Sequence, residues 1–157
     1  MHIDYMALAD FRYEIRRFLN FSERAARRAG IEPQQHQALL AIKGLAEPSQ
    51  ATVGVLAERL QIQHHSAVEL SHRLEAKKLI SRFRAGKDRR QVHLRLTLRG
   101  EKLLRDLTTT HGEELRTAGP RLIAALTRAV RGHAAKGKRK KLSAPTAAKG
   151  ASRQKKA

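Results

Sequence analysis

Over most of this chain apolar residues recur every three or four positions, but between residues 80 and 96 they alternate. This change of period constrains the fold more than any other feature. Val92, Leu94 and Leu96 alternate with His93 and Arg95, which is strand spacing, and residues 80–84 supply a partner strand. The link between them, Ala85-Gly86-Lys87-Asp88-Arg89-Arg90, is polar and contains glycine, so a β-hairpin is expected.

The rest of the chain reads as helix. Residues about 6–28 carry Leu8, Phe11, Ile15 and Phe18 at helical spacing, and Gly30 is a stop signal. Pro33 suits the first position of a second helix, about 33–45, which Gly44 and Pro48 close. Thr52 is a good N-cap for a short third helix carrying Val55, Leu56 and Leu60, and a brief turn at 61–63 leads to a fourth, about 64–78. Thr97 can cap a long fifth helix with Leu103, Leu104, Leu107 and Leu115 as its stripe. Pro120 opens an expected sixth, with Leu122, Ile123, Leu126 and Val130 inward. The fold class is therefore mainly α with a small β-hairpin.

Charge narrows the function. The 157 residues hold 33 Lys+Arg against 14 Asp+Glu, a net charge of +19. Residues 132–157 carry nine of the basic residues and no acid, which leaves +10 for the body. Such an excess favours polyanionic partners, a nucleic acid or an anionic membrane surface. The segment 132–157 has almost no apolar bulk and is expected to be a disordered basic tail. There are no cysteines, which excludes disulfides and thiolate metal sites. No apolar run is long enough for a membrane span, and the N-terminus lacks a signal-peptide layout. A cytoplasmic location is expected. No nucleophile elbow, P-loop, dinucleotide fingerprint or paired-carboxylate site is present, so no enzymatic activity and no cofactor are expected.

Helix two, helix three, a tight turn, helix four and a basic hairpin make a winged helix-turn-helix layout. On the fourth helix Leu70, Ser71 and Leu74 fall within about 60° of Ala67, a stripe for the core. His65, Glu69, His72 and Arg73 fall on the other side, with Ser66 at the edge. A polar outer face without bulky apolar groups suits insertion into a major groove. His65, Ser66 and Glu69 are candidates for base or phosphate contact, against the alternative of a plain solvated face. Gln63 and His64 lie at the helix start, where backbone N–H groups attract phosphate. Arg73 is better placed for phosphate. The eight histidines suggest a metal, but His65 and His72 are seven residues apart and no metal motif is present, so no metal is expected. His36, His93 and His111 are read as surface or interface groups.

The runs Leu56-Ala57-Glu58-Arg59-Leu60-Gln61-Ile62, His65-Ser66-Ala67-Val68 and Arg73-Leu74-Glu75-Ala76-Lys77-Lys78-Leu79-Ile80 resemble the helix-turn-helix of MarR-type regulators. Asp88-Arg89-Arg90-Gln91-Val92, continuing to Leu96-Thr97-Leu98-Arg99-Gly100, is similar to that family's D-R-R…L-T-x-x-G pattern. The resemblance covers about residues 5–131. It implies a homodimer joined through the first and last helices, recognition helices in adjacent major grooves, and wings reaching minor grooves. It implies too that many relatives answer to small phenolic or anionic effectors. Gln61 stands where the family usually has Gly, so the turn needs either a strained backbone or a different geometry; Leu98 stands where it has Pro, and His72 where Asp is common.

The expected organisation is a MarR-type winged helix-turn-helix domain over 1–131 and a tail over 132–157. The DNA-binding part spans about 33–97, and the dimerisation helices about 4–29 and 98–131. An isolated Asp88-Arg89-Arg90 triplet is ordinarily a solvated turn. In this context it reads as a DNA-binding wing, in which Asp88 orients Arg90 as the resemblance implies. Arg84, Lys87 and Arg89 join Arg90 as candidate contacts. The tail is read as a DNA tether acting through counterion release, against an inert extension or a localisation signal. The expected function is a sequence-specific, ligand-responsive repressor that binds a palindromic operator on double-stranded DNA. The alternative is an architectural, nucleoid-type DNA protein.

Overall fold

The computed structural model describes residues 4–45, 50–84 and 91–134, with side chains to 131. The expected closure of α2 by Pro48, the hairpin tip 85–90 and the tail from 135 onward lie outside the described residues. The elements run α1 (Tyr5–Arg28), α2 (Pro33–Lys43), α3 (Val53–Leu60), α4 (His64–Ala76), β1 (Ile80–Phe83), β2 (His93–Leu96) and α5 (Leu98–Ala134). They fall into two compact units, Ile15–Pro120 and the segments flanking it.

Helix ends follow local chemistry. Asp4 Oδ1 accepts the Ala7 amide at 3.0 Å and starts α1. Pro33 opens α2, and Thr52 Oγ1 accepts the Val55 amide at 3.2 Å to start α3. The ends of α1, α3 and α4 share one C-terminal motif, in which a left-handed residue lets the next amide reach back to the last turn. Those residues are Gly30 (φ 79°), Gln61 (φ 53°) and Lys78 (φ 58°). The amides of Ile31, Ile62 and Leu79 return to Ala26, Ala57 and Leu74 at 3.0–3.1 Å. The strain expected where Gln61 replaces glycine is present, and Lys78 carries it too, at about 1–2 kcal/mol each.

The Ile15–Pro120 unit buries Ala26, Ala38, Leu39, Ala67, Leu70, Leu74, Ile80 and Leu94 in one core. β1 and β2 pair antiparallel with Ile80 opposite Leu96 and Arg82 opposite Leu94. The other edge of β2 is also paired. Leu94 N donates to Ala51 O at 2.7 Å and Val53 N to Val92 O at 3.0 Å. β2 is thus the middle of three extended segments, which its alternation alone did not reveal.

The start of α5 explains the L-T-x-x-G run. Thr97 Oγ1 accepts the Gly100 amide at 3.1 Å and donates to Lys78 O at 2.7 Å. Thr97 N donates to Leu79 O at 3.0 Å. A Cβ on Gly100 would collide with the Leu79 carbonyl, so the threonine and the glycine together dock α5 on the turn after α4. Lys43 Nζ meets Glu101 Oε1 at 2.7 Å, joining α2 to α5, and this hydrogen bond holds the Glu101 carboxyl below the ordinary carboxylate range.

Three expectations need correction. Residues 98–134 form one helix with Pro120 inside it, not two. A proline removes a single backbone bond and crowds one carbonyl, a local loss within a 37-residue ladder. His36 and His111, expected at a surface or interface, are buried. Their rings lie 4.7 Å apart, and His111 reaches Leu107 O at 2.6 Å and Ser22 Oγ at 2.8 Å. Burial, then the charge of His111, holds His36 below the usual histidine range.

The third correction lies in the flanking unit. Asp10–Arg128 (3.3 Å) and Glu14–Arg121 (3.9 Å) link its two helical segments, and Ala7 and Ala125 are buried. Ile123, Leu126 and Val130, expected inward, are exposed together with Tyr5, Met6, Leu8 and Tyr13.

Candidate nucleic-acid interface

Helix α4 has the two faces that its periodicity implies. Ala67, Leu70, Ser71 and Leu74 are buried; His65, Glu69, His72 and Arg73 are exposed, and Ser66 is half-buried. Ser71 is tolerated inside because its hydroxyl donates to Val68 O at 2.7 Å. Gln63 is the N-cap (φ −65°, ψ 147°) and its side chain makes no capping bond, so the first-turn amides face outward unsatisfied by it. Those amides carry the positive end of the helix dipole and suit an anion such as a phosphate.

Glu69 and Arg73, read from sequence as separate contacts, pair at 3.4 Å. Both are well exposed, and an i,i+4 pair of this kind contributes only about 0.3–0.5 kcal/mol. Either side chain is therefore released at little cost to a stronger partner.

The hairpin stands beside α4. Arg84 is exposed at the end of β1. Phe83 stacks on His93 (5.6 Å between centroids), and the Arg95 guanidinium lies 5.1 Å from the Phe83 ring, which stiffens one face of the strand pair. Lys87, Asp88, Arg89 and Arg90 lie outside the described residues. A cleft of about 730 Å³ between α3, α4 and the hairpin is lined by Thr52, Arg59, His64, Val68, Arg82 and Gln91, among others.

Arg82 is the residue that the sequence pattern did not single out. Its backbone N donates to Glu75 Oε1 at 3.1 Å. Its Nη1 lies 2.6 and 2.9 Å from the two ring nitrogens of His72 and 3.7 Å from Glu75 Oε2. The available signal was an arginine at the inward position of a strand, two residues after the buried Ile80.

Comparison with known proteins places this geometry. Residues 29–91 match the model of the MarR family. The Staphylococcus aureus MepR–DNA complex superposes with a TM-score of 0.65 at 22% identity, over 88% of this chain and 99% of that one. AbsC, a MarR family transcriptional regulator from Streptomyces coelicolor, gives a TM-score of 0.68 at 18% identity, over 90% and 97%. Bordetella bronchiseptica BpsR, described in terms of regulation of its DNA binding by 6-hydroxynicotinic acid, gives 0.59 at 17% identity, over 78% and 94%. No curated protein sequence matches the chain. The fold is that of MarR-type winged helix-turn-helix proteins.

Proposed function

We propose that this chain, a winged helix-turn-helix protein of the MarR type, is a cytoplasmic, homodimeric transcription regulator that represses by binding double-stranded DNA and is released by a small phenolic or anionic effector. The observation that carries the reading is α4. It is anchored by an apolar stripe and presents a polar face with an open N-terminus beside a basic hairpin. A face without bulky apolar groups fits no protein core, whereas its donors and acceptors match base edges in a major groove.

In this reading His65, Ser66 and Glu69 face bases. The backbone at Gln63 and His64, with Arg73, Arg84 and Lys87, holds phosphates. Asp88 orients Arg90, beside Arg89, towards the minor groove. Two copies related by a two-fold would read a palindromic operator with half-sites about 10 bp apart. The exposed apolar residues of the flanking unit supply a surface for that pairing. The effector part draws support from BpsR, whose DNA binding is described as regulated by 6-hydroxynicotinic acid.

A selection from random duplexes tests the reading, and an imperfect palindrome is the expected consensus. On that operator Arg90→Ala should weaken binding by about 1–3 kcal/mol. An unchanged affinity at physiological salt would remove the wing from the interface. The nine basic residues of 132–157 favour a second reading, a nucleoid-type architectural protein. That reading gains if the selection returns no consensus and binding stays uniform along DNA. For the tail, deletion should lower specific and non-specific affinity alike. It should also make the salt dependence shallower by about 0.9 for each phosphate that the tail neutralises.

A further inference from the structure

A cleft of about 570 Å³ opens where three parts of the Ile15–Pro120 unit meet: the turn after α1, the turn after α4 and the first turns of α5. Its floor is apolar, with Ile31 and Leu79 buried and Leu103 half-buried. Its rim is cationic and exposed: Lys77 and Lys78 come from the end of α4, Arg99 and Lys102 from α5. Asp106 shares a stripe of α5 with Arg99, Lys102 and Leu103, and it is the only acid among the described lining residues. Within the described residues no ion pair engages any of the four cations. Lys77 Nζ instead donates to a neutral acceptor, the Gly30 carbonyl, at 2.9 Å.

We propose that this cleft binds a small anion with an apolar body, such as an aromatic carboxylate, and that the ligand acts on the recognition helix through Lys77. Size and charge choose the occupant. The volume lies within the range of small-molecule sites, which pair an apolar lining with a few convergent polar groups. Four cations against one carboxylate concentrate positive potential over the floor, and an inorganic anion alone would leave that apolar floor uncovered. Residues 132–157 carry nine basic residues and no acid, so the chain's own tail is repelled from the cleft.

Position gives the ligand its leverage. The end of α4 is bonded to α1 through Lys77, and to α5 through Thr97 Oγ1, which donates to Lys78 O at 2.7 Å. A bound carboxylate offers the Lys77 ammonium a charged acceptor in place of the Gly30 carbonyl, and the charge-assisted bond is the stronger. Ligand and the α1–α4 tie therefore compete for one ammonium, and occupancy favours an α4 released from α1. The consequence for DNA rests on the regulator reading above and puts its effector here. Occupancy should lower operator affinity by about fivefold or more, and operator should lower ligand affinity by the same factor.

The test uses the full chain and 1-naphthoate as the probe, with neutral 1-naphthamide and inorganic phosphate beside it. Amide shifts followed by NMR should move first at residues 29–31, 76–79 and 99–106, and saturate with a Kd of about 1 mM or tighter. Naphthamide and phosphate each lack half of the match and should bind about tenfold more weakly, or not at all. Lys102→Gln and Lys78→Gly should each weaken naphthoate by about tenfold, the scale of one charge-assisted hydrogen bond. Lys78→Gly also relieves a left-handed backbone (φ 58°), so a weaker affinity there does not reflect a damaged fold. Asp106→Asn should tighten binding. Arg116→Gln removes the same charge from an exposed position of α5 outside the cleft lining and should change nothing. Shifts centred elsewhere, naphthamide or phosphate that binds as well as naphthoate, or an Arg116→Gln loss equal to that of Lys102→Gln overturns the site. Phosphate that matches naphthoate would assign the cleft to a polyanion backbone instead. At saturating naphthoate the wild type should lose operator affinity, and Lys77→Gln should not respond. An operator affinity that ignores a filled cleft, or a Lys77→Gln protein that responds as the wild type does, overturns the coupling. Binding as expected, with no sequence-specific DNA complex in any variant, refutes the DNA reading and leaves the site standing.

Discussion

The Ile15–Pro120 unit and the segments that flank it have similar apolar periodicity and opposite outcomes. In the first, Leu39, Leu70, Leu74, Ile80 and Leu94 are almost fully shielded from water. In the second, Ala7 and Ala125 are buried while Ile123, Val130, Tyr5 and Met6 keep 60–75% of their exposure. The first is closed by backbone docking, as at Thr97 and Gly100, and by a core drawn from every helix and both strands. In the flanking unit two ion pairs join the described segments: Asp10–Arg128 is exposed and worth at most about 1 kcal/mol, and Glu14–Arg121 has a largely buried carboxylate at 3.9 Å from the guanidinium. An amphipathic pattern therefore says that a helix has a face to bury, and leaves open whether its own chain covers that face.

This contrast can be broken from either side. The largest effect is expected inside the closed unit. Gly100→Ala drives a Cβ into the Leu79 carbonyl and should cost about 3 kcal/mol or more in urea unfolding, whereas Gly112→Ala, with nothing within 4 Å, should gain up to about 1 kcal/mol from helix propensity. Equal and small changes would mean that α5 does not dock there. Next comes the open face. Ile123→Lys with Val130→Lys should weaken self-association by about 2–3 kcal/mol, seen by sedimentation, and leave the helical content of the chain intact. A wild-type monomer at tens of micromolar would end the idea that a second copy covers this face.

Smaller is the response of the buried histidine pair. Because His36 sits below its usual range in the folded state, its stability contribution is complete above about pH 6.5. As pH falls further, the unfolded chain takes up a proton that the folded chain resists. Stability should then drop by at most about 1.4 kcal/mol per pH unit for this one group. Thermal melts of His36→Gln should be flatter over the same interval; parallel curves would discount the pair. Smallest is Gln61→Gly, which relieves left-handed strain and should add about 0.5–1 kcal/mol. A decrease instead would mean that the Gln61 side chain contributes more than its backbone costs.

Much of the candidate interface was legible in the sequence because it depends on spacing within one element. The division of α4 into Ala67/Leu70/Ser71/Leu74 and His65/Glu69/His72/Arg73 follows from 3.6 residues per turn. The caps at Thr52 and Thr97 and the strain at Gln61 follow from the chemistry of single residues. The pairing of Glu69 with Arg73 was a choice among neighbours that spacing allowed without selecting. Arg82 was missed because its partners lie seven and ten residues away, across a turn.

What the sequence by itself determined here is periodicity, helix ends and the sign of the charge, all set by interactions within about four residues or by simple counting. Tertiary structure decided which of the apolar stripes find cover. It put His36 against His111 and β2 between β1 and residues 51–53. It also left Ile123 and Val130 facing water while Ala125 turned inward. The physical reason is that burial belongs to a pair of surfaces. A side chain's own pattern fixes its direction from the helix axis, but only a segment from elsewhere in the chain, or a second chain, can take the water away.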